Sequence, residues 1–264
     1  MDALLLESPA SHPAATNHGF GLDPFEREQR FLLSRTETVA FLRAVGSKCT
    51  QERYDTGRPL AYTRTTYLDT ADLSYFRSFE NGVARRLRVR EYAVASTLDE
   101  APMLTGVCCL ELKQSTGNAR SKIRFSASPQ TLRRVLAGEA QLEIDDDSPA
   151  QLMALSALRA ELAGRCVMPC LTTWYRRTSL VGEEGRVRIT LDQDLSFCPP
   201  ETLGDESGSI TSGQAVARGP ARILEIKYCG DQPDWLACAT AQLAAAPTFS
   251  KFRMGMMALR RKAA

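Results

Sequence analysis

Residues 85–92 read RRLRVREY, with Arg86, Arg88 and Arg90 alternating with Leu87 and Val89. Successive side chains of an extended strand point to opposite faces, so this spacing puts three guanidiniums on one face and apolar groups on the other. A guanidinium is a planar fork that grips phosphate oxygens two at a time. The same row on an edge strand facing water would be a common device against edge-to-edge pairing. The two meanings separate only if other segments repeat the pattern.

They do. At the same spacing stand Glu26, Glu28 and Arg30; Glu111 and Lys113; Lys122 and Arg124; Arg186, Arg188, Thr190 and Asp192; and Glu225 and Lys227. Arg64, in a strand read at 61–69, joins the candidate phosphate-binding cations. A sheet with one apolar face under helices and one charged face either meets bulk water or closes into a barrel with a wet, polar interior. The face is rich in arginine, and forks crowded around one lumen repel each other unless an anion lies among them. Glu26, Glu28, Glu111 and Glu225 offer the oxygen ligands that a hard divalent cation prefers.

The elements that must carry these residues are legible from period and punctuation. The 264 residues, 44% hydrophobic, suffice for a large core. Residues 1–23 lack periodicity and are expected to form a flexible tail, with one domain over 24–264. Ser34 and Glu37 stand at capping-box spacing, which predicts a helix over about 35–46. Strands are expected at 61–69, 84–94, 106–114, 120–126, 167–180, 186–197 and 222–228, besides the extended start at 25–33. Ser128-Pro129 and Ser148-Pro149 each announce a helix, two more are expected at about 233–245 and 250–261, and residues 199–220 read as a mobile connection. Strand runs with interspersed helices and no regular alternation give the class α+β.

Other totals exclude functions. A net charge of +2 does not suit a general nucleic-acid binder. Eight cysteines without zinc-finger spacing, and only two histidines, both in the tail, suggest reduced core thiols in a cytoplasmic protein. No apolar run approaches the length of a membrane span, so a protein that exported a product would need a membrane partner. Neither a P-loop nor a catalytic triad is present.

The ordered run FEREQRFLL, YLDT, RRLRVREY, LELKQ, SKIRF, WYRRTSL, VRITLDQDL, LEIKY and SKFRMG resembles the VTC domain, the polyphosphate polymerase domain of the triphosphate tunnel metalloenzyme and CYTH-like superfamily. The resemblance implies an eight-stranded antiparallel β-barrel tunnel with helices packed outside. It implies an enzyme that uses ATP and Mn²⁺ or Mg²⁺ to lengthen inorganic polyphosphate. Carried over by position, Arg88, Arg90, Lys113, Arg177, Arg188 and Lys227 would be catalytic cations. Arg30, Arg64, Arg86, Lys122, Arg124, Ser250 and Lys251 would bind phosphate, and Glu225, with Glu26, Glu28 and Glu111, the metal. Arg30 stands where the family usually has lysine, and Thr248 where polymerase members tend to have a further basic residue. A triphosphatase, which needs a carboxylate-held water, and a non-catalytic polyphosphate-binding module are the alternatives.

Overall fold

The computed structural model describes residues 25, 27–117, 119–144, 146–200, 215–220 and 222–263. The expected tail, Glu26 and most of the 199–220 connection lie outside the described residues. In chain order the elements are β1 (Arg27–Leu32), α1 (Arg35–Val45), β2 (Cys49–Glu52), β3 (Leu60–Thr70), α2 (Ser74–Arg77), β4 (Val83–Ala95), β5 (Met103–Thr116) and β6 (Ala119–Ala127). Then follow α3 (Pro129–Leu136), α4 (Pro149–Leu162), β7 (Val167–Gly182), β8 (Val187–Cys198), β9 (Ala217–Arg218), β10 (Arg222–Tyr228), α5 (Asp234–Thr240) and α6 (Lys251–Ala263). No helix among the described residues is long and apolar enough to cross a membrane. All eight cysteines are free thiols.

Eight long strands form one antiparallel sheet in the order β1-β10-β8-β7-β3-β4-β5-β6, with β2 pairing β7 and β9 pairing β8. Laid flat, β1 and β6 would stand roughly 34 Å apart at the usual strand spacing. Yet Arg120 of β6 donates to the carboxylate of Glu28 on β1. The sheet therefore curls into a half-barrel whose end strands meet through an ion pair and not through a backbone ladder. Both end strands carry charged residues, which suits strands without a ladder partner on one side.

The convex face is the hydrophobic one. Phe31, Ile189 and Leu224 pack with Phe41 of α1 and Leu236 of α5, while Leu87, Leu110 and Phe125 pack with Leu132 of α3 and Leu158 of α4. Helix α1 begins at the anticipated capping box, with Glu37 N–H donating to Ser34 Oγ at 3.2 Å and Ser34 N–H donating to Glu37 Oε2 at 2.7 Å. The YLDT run is a structural corner: buried Asp69 accepts the N–H groups of Tyr75 and Phe76, each at 2.9 Å, and so starts α2.

One end of the concave face is apolar and covered by α6. Phe252 stacks on Tyr67, ring centroids 4.8 Å apart. Gly255 lets the helix lie close, since a Cβ there would stand 2.5 Å from Leu171 Cδ2 and 2.7 Å from Phe197 Cδ1. The helix expected over 233–245 stops at Thr240 because the following chain pairs with β1, Ala246 N–H donating to Arg30 O at 2.7 Å.

Candidate active site: a cationic lumen

Cross-strand register puts the charged positions of the long strands on the concave face. Arg88, Glu111 and Arg124 stand opposite one another across β4, β5 and β6, as do Arg86, Lys113 and Lys122. Across the other wall run Arg30, Glu225 and Thr190, and likewise Glu28, Lys227 and Arg188. Arg177 lies opposite Asp192, Arg90 opposite Thr65, and Arg120 follows two residues before Lys122. Glu52 of β2, opposite Ser179, brings its carboxylate to Arg188 on the same face, and with Lys251 at the start of α6 twelve cations face five carboxylates among the described residues. A chain of net charge +2 has thus gathered a formal +7 on one surface.

Like charges directly opposite in a sheet are destabilising, and the row Arg86–Lys113–Lys122 holds three. Proton affinity on this face falls chiefly through burial, with cations of neighbouring rows adding to it. Burial, with Arg88 and Lys227 nearby, takes Lys113 well below the usual lysine range. Burial, with Arg88 and Arg30 adding to it, takes Arg86 down to about 10. The two walls also act on each other: Lys113 of β5 feels Glu225 of β10, five strand positions away along the sheet. That reach follows from the curl of the sheet, which brings β5 and β10 to face each other.

Each of the five carboxylates has a cationic partner, Glu52 taking Arg188 Nη2 at 3.6 Å. Glu111 accepts from Arg88 Nε and Arg124 Nε, both at 2.7 Å. Burial pushes its carboxyl up, but Arg88 and Arg124 more than offset this and hold it well below the usual carboxylate range. Asp192 takes Arg177 Nε at 2.7 Å, Arg177 Nη2 at 2.8 Å and Lys251 Nζ at 2.6 Å. Glu225 accepts from Arg30 Nε at 3.1 Å. Glu28 meets Arg30 and Arg120, with Lys227 Nζ at 3.9 Å.

Several buried polar atoms on the same face have no protein partner: Nε of Arg86, Arg90 and Arg188, the hydroxyls of Thr65, Ser179 and Thr190, and the phenol of Tyr175. Buried donors are normally paired, so an inward-facing group of them marks a site for acceptor-rich ligand. Burial pushes the Tyr175 phenol up, yet Arg90 and Arg177 outweigh it and bring it down to about 8.

The VTC domain family matches residues 25–260, nearly the whole chain. This chain belongs to the VTC domain family. No curated protein matches it. Among solved structures it is similar to one from Bacillus halodurans described provisionally as an adenylate cyclase, at 16% identity and a TM-score of 0.47, covering 86% of this chain and 95% of that one. A Vibrio parahaemolyticus structure, described in the same provisional terms, matches at 13% identity and 0.38, covering 90% and 87%. The S. pombe Pct1 RNA triphosphatase in complex with the Spt5 CTD matches at 12% and 0.28, covering 88% of this chain and 65% of that one.

Within this VTC domain three sequence expectations need correction. Arg64 is not in the lumen: it lies opposite Glu91 and Trp174 on the convex side, donating to Glu91 at 2.6 and 2.7 Å with its guanidinium over the Trp174 ring. One residue of register decides this, since Thr63 and Thr65 take the inward positions. Neither Glu111 nor Glu28 presents a free carboxylate to a metal, because arginines occupy both oxygens of each. Among the described residues no three His, Cys, Asp or Glu side chains cluster to hold a metal. Ser250, beside Lys251, accepts Arg253 N–H at 3.4 Å as a helix cap and lines a groove with Leu32 and Thr248.

Tyr175, Arg120 and Glu52 are lumenal residues outside the expected set. Tyr175 and Arg120 each stand two positions from an expected cation, Arg177 and Lys122, so the same period of two contained them.

Proposed function

We propose that this VTC domain is a metal-dependent polyphosphate polymerase that moves the γ-phosphate of ATP onto a growing inorganic polyphosphate chain. The observation that carries the reading is the enclosed excess of cations, with unpartnered Nε groups of Arg86, Arg90 and Arg188 turned inward. Phosphoryl transfer needs in-line placement and dispersal of charge over the transferring oxygens, both of which fixed guanidiniums supply. Arg88, Arg90 and Arg177 lie in the middle of the lumen to grip the triphosphate. Lys113, Lys122, Arg188 and Lys227 extend the cationic track along it, with Arg30 beside Glu225.

A divalent cation, Mn²⁺ or Mg²⁺, would be held by Glu225, which gives one oxygen to Arg30, whereas arginines occupy both oxygens of Glu28. One protein carboxylate suits an ion that completes its shell with phosphate oxygens and water. When bound it would neutralise charge on the transferring phosphoryl group. Transfer is proposed over hydrolysis because hydrolysis needs a carboxylate to hold the attacking water, and apart from Glu225, given to the metal, every lumenal carboxylate among the described residues carries a cation. With α6 over the apolar end, a growing chain would leave by the opposite end or through the seam between β1 and β6.

Incubated with ATP and Mn²⁺ or Mg²⁺, the protein is expected to make long polyphosphate, visible on a gel. Release of ADP with no chain longer than tripolyphosphate would overturn polymerisation. In Glu225→Ala, turnover is expected to fall by more than ~100-fold while polyphosphate still binds, and a variant with unimpaired turnover would remove Glu225 from the metal's shell.

A further inference from the structure

Asp192 is the point where β7, β8 and α6 meet. Its side chain is buried, with Arg177 forked across both oxygens and Lys251 Nζ on Oδ2 at 2.6 Å. Lys251 is the first residue of α6, so one carboxylate ties the helix covering the lumen's apolar end to the barrel wall. Both cations also surround the unpartnered Tyr175 phenol: the Arg177 guanidinium lies 5.3 Å and the Lys251 ammonium 4.6 Å from its ring centre.

We infer that Asp192 is a positioning residue that acts as the lumen's resident counter-anion, holding Arg177 and Lys251 aimed inward and competing with the phosphate chain for them. This rests on reading the lumen as a phosphate site. A negative charge among twelve cations stabilises the ligand-free protein and weakens every anion that enters. Removing it leaves two buried cations undercompensated, which lowers ligand-free stability. The same change leaves more positive potential for a polyanion to meet. Stability and anion affinity are therefore expected to move in opposite directions.

An internal contrast exists on the convex face. Glu91 makes the same two-oxygen contact with Arg64, also buried, outside the lumen. Binding of inorganic tripolyphosphate at constant ionic strength would be measured by calorimetry for the wild type, Asp192→Asn and Glu91→Gln, alongside ligand-free Tm. Both variants are expected to melt lower. Asp192→Asn should bind about tenfold more tightly, whereas Glu91→Gln should stay within about twofold of the wild type. In turnover, Asp192→Asn should lower KM and kcat together, since products held more tightly leave more slowly. Equal or weaker binding by Asp192→Asn overturns the inference.

Should Asp192→Asn fail to fold, Lys251→Gln is compared with the double variant Lys251→Gln/Asp192→Asn, which removes one charge of each sign. The double variant is expected to bind more tightly than Lys251→Gln, and the reverse order overturns the inference equally. A wild type that does not bind tripolyphosphate would sink the phosphate reading of the lumen, and this inference with it.

Discussion

Tyr175 shows how a neutral residue acquires a charge state from its neighbours. Its phenol, ordinarily near 10, lies at about 8 because Arg90 and Arg177 outweigh the effect of burial. Between those two values the unfolded chain keeps a proton that the folded chain has lost, so ligand-free stability rises with pH across that window. The contribution is lost as pH falls through about 8. Anion binding has the opposite sign, because a phenolate in the lumen repels phosphate. Tripolyphosphate affinity should therefore fall more steeply above pH about 8 in the wild type than in Tyr175→Phe. Identical profiles would exclude Tyr175 as the source. Period-two spacing made Arg88, Arg90, Lys113 and Glu225 visible in the sequence. It could not show which carboxylates would be consumed by arginines, because Glu111 meets Arg88 and Arg124 only once three strands are in register.

Among elements, the strands were legible because one face had to be apolar, and among the described residues Glu28 and Arg30, Arg86 to Arg90, Glu111 and Lys113, Lys122 and Arg124, and Glu225 and Lys227 each share the concave face; β3 is the exception. There the sequence offered Arg64 as another inward cation, and a single step of register turned it outward. The short strands β2 and β9 carry no alternation long enough to read. Helix α5 ends early because pairing of Ala245 and Ala246 with β1 overrides the helical propensity of an alanine-rich run. Helix α6 was expected, but its place on the concave side was not, since that depends on the absent side chain of Gly255. Gly255→Ala should overpack against Leu171 and Phe197 and cost about 1–3 kcal/mol. That would appear as a Tm lowered by several degrees, and an unchanged Tm would mean that α6 sits farther from the barrel wall.

At the scale of the molecule, charge segregation matters more than total charge. A formal +7 on one face of a chain of +2 leaves the remaining residues net acidic, so bulk properties conceal the lumen. A protein built this way carries self-repulsion in its ligand-free state. Its stability should depend on anions in proportion to how well they fit the lumen, not to ionic strength alone. Simple salt screens exposed charges over about a Debye length but acts weakly on buried ones. A chain of linked phosphates places several negative charges among Arg86, Lys113 and Lys122 together, and binding only the folded state raises its stability by mass action. Tm should therefore rise by several degrees in tripolyphosphate at about a hundred times its dissociation constant, and much less in sodium chloride matched for ionic strength. Equal rises in the two salts would show that the cations are screened from outside and share no common anion, which would dissolve the link between the curled sheet and phosphate chemistry.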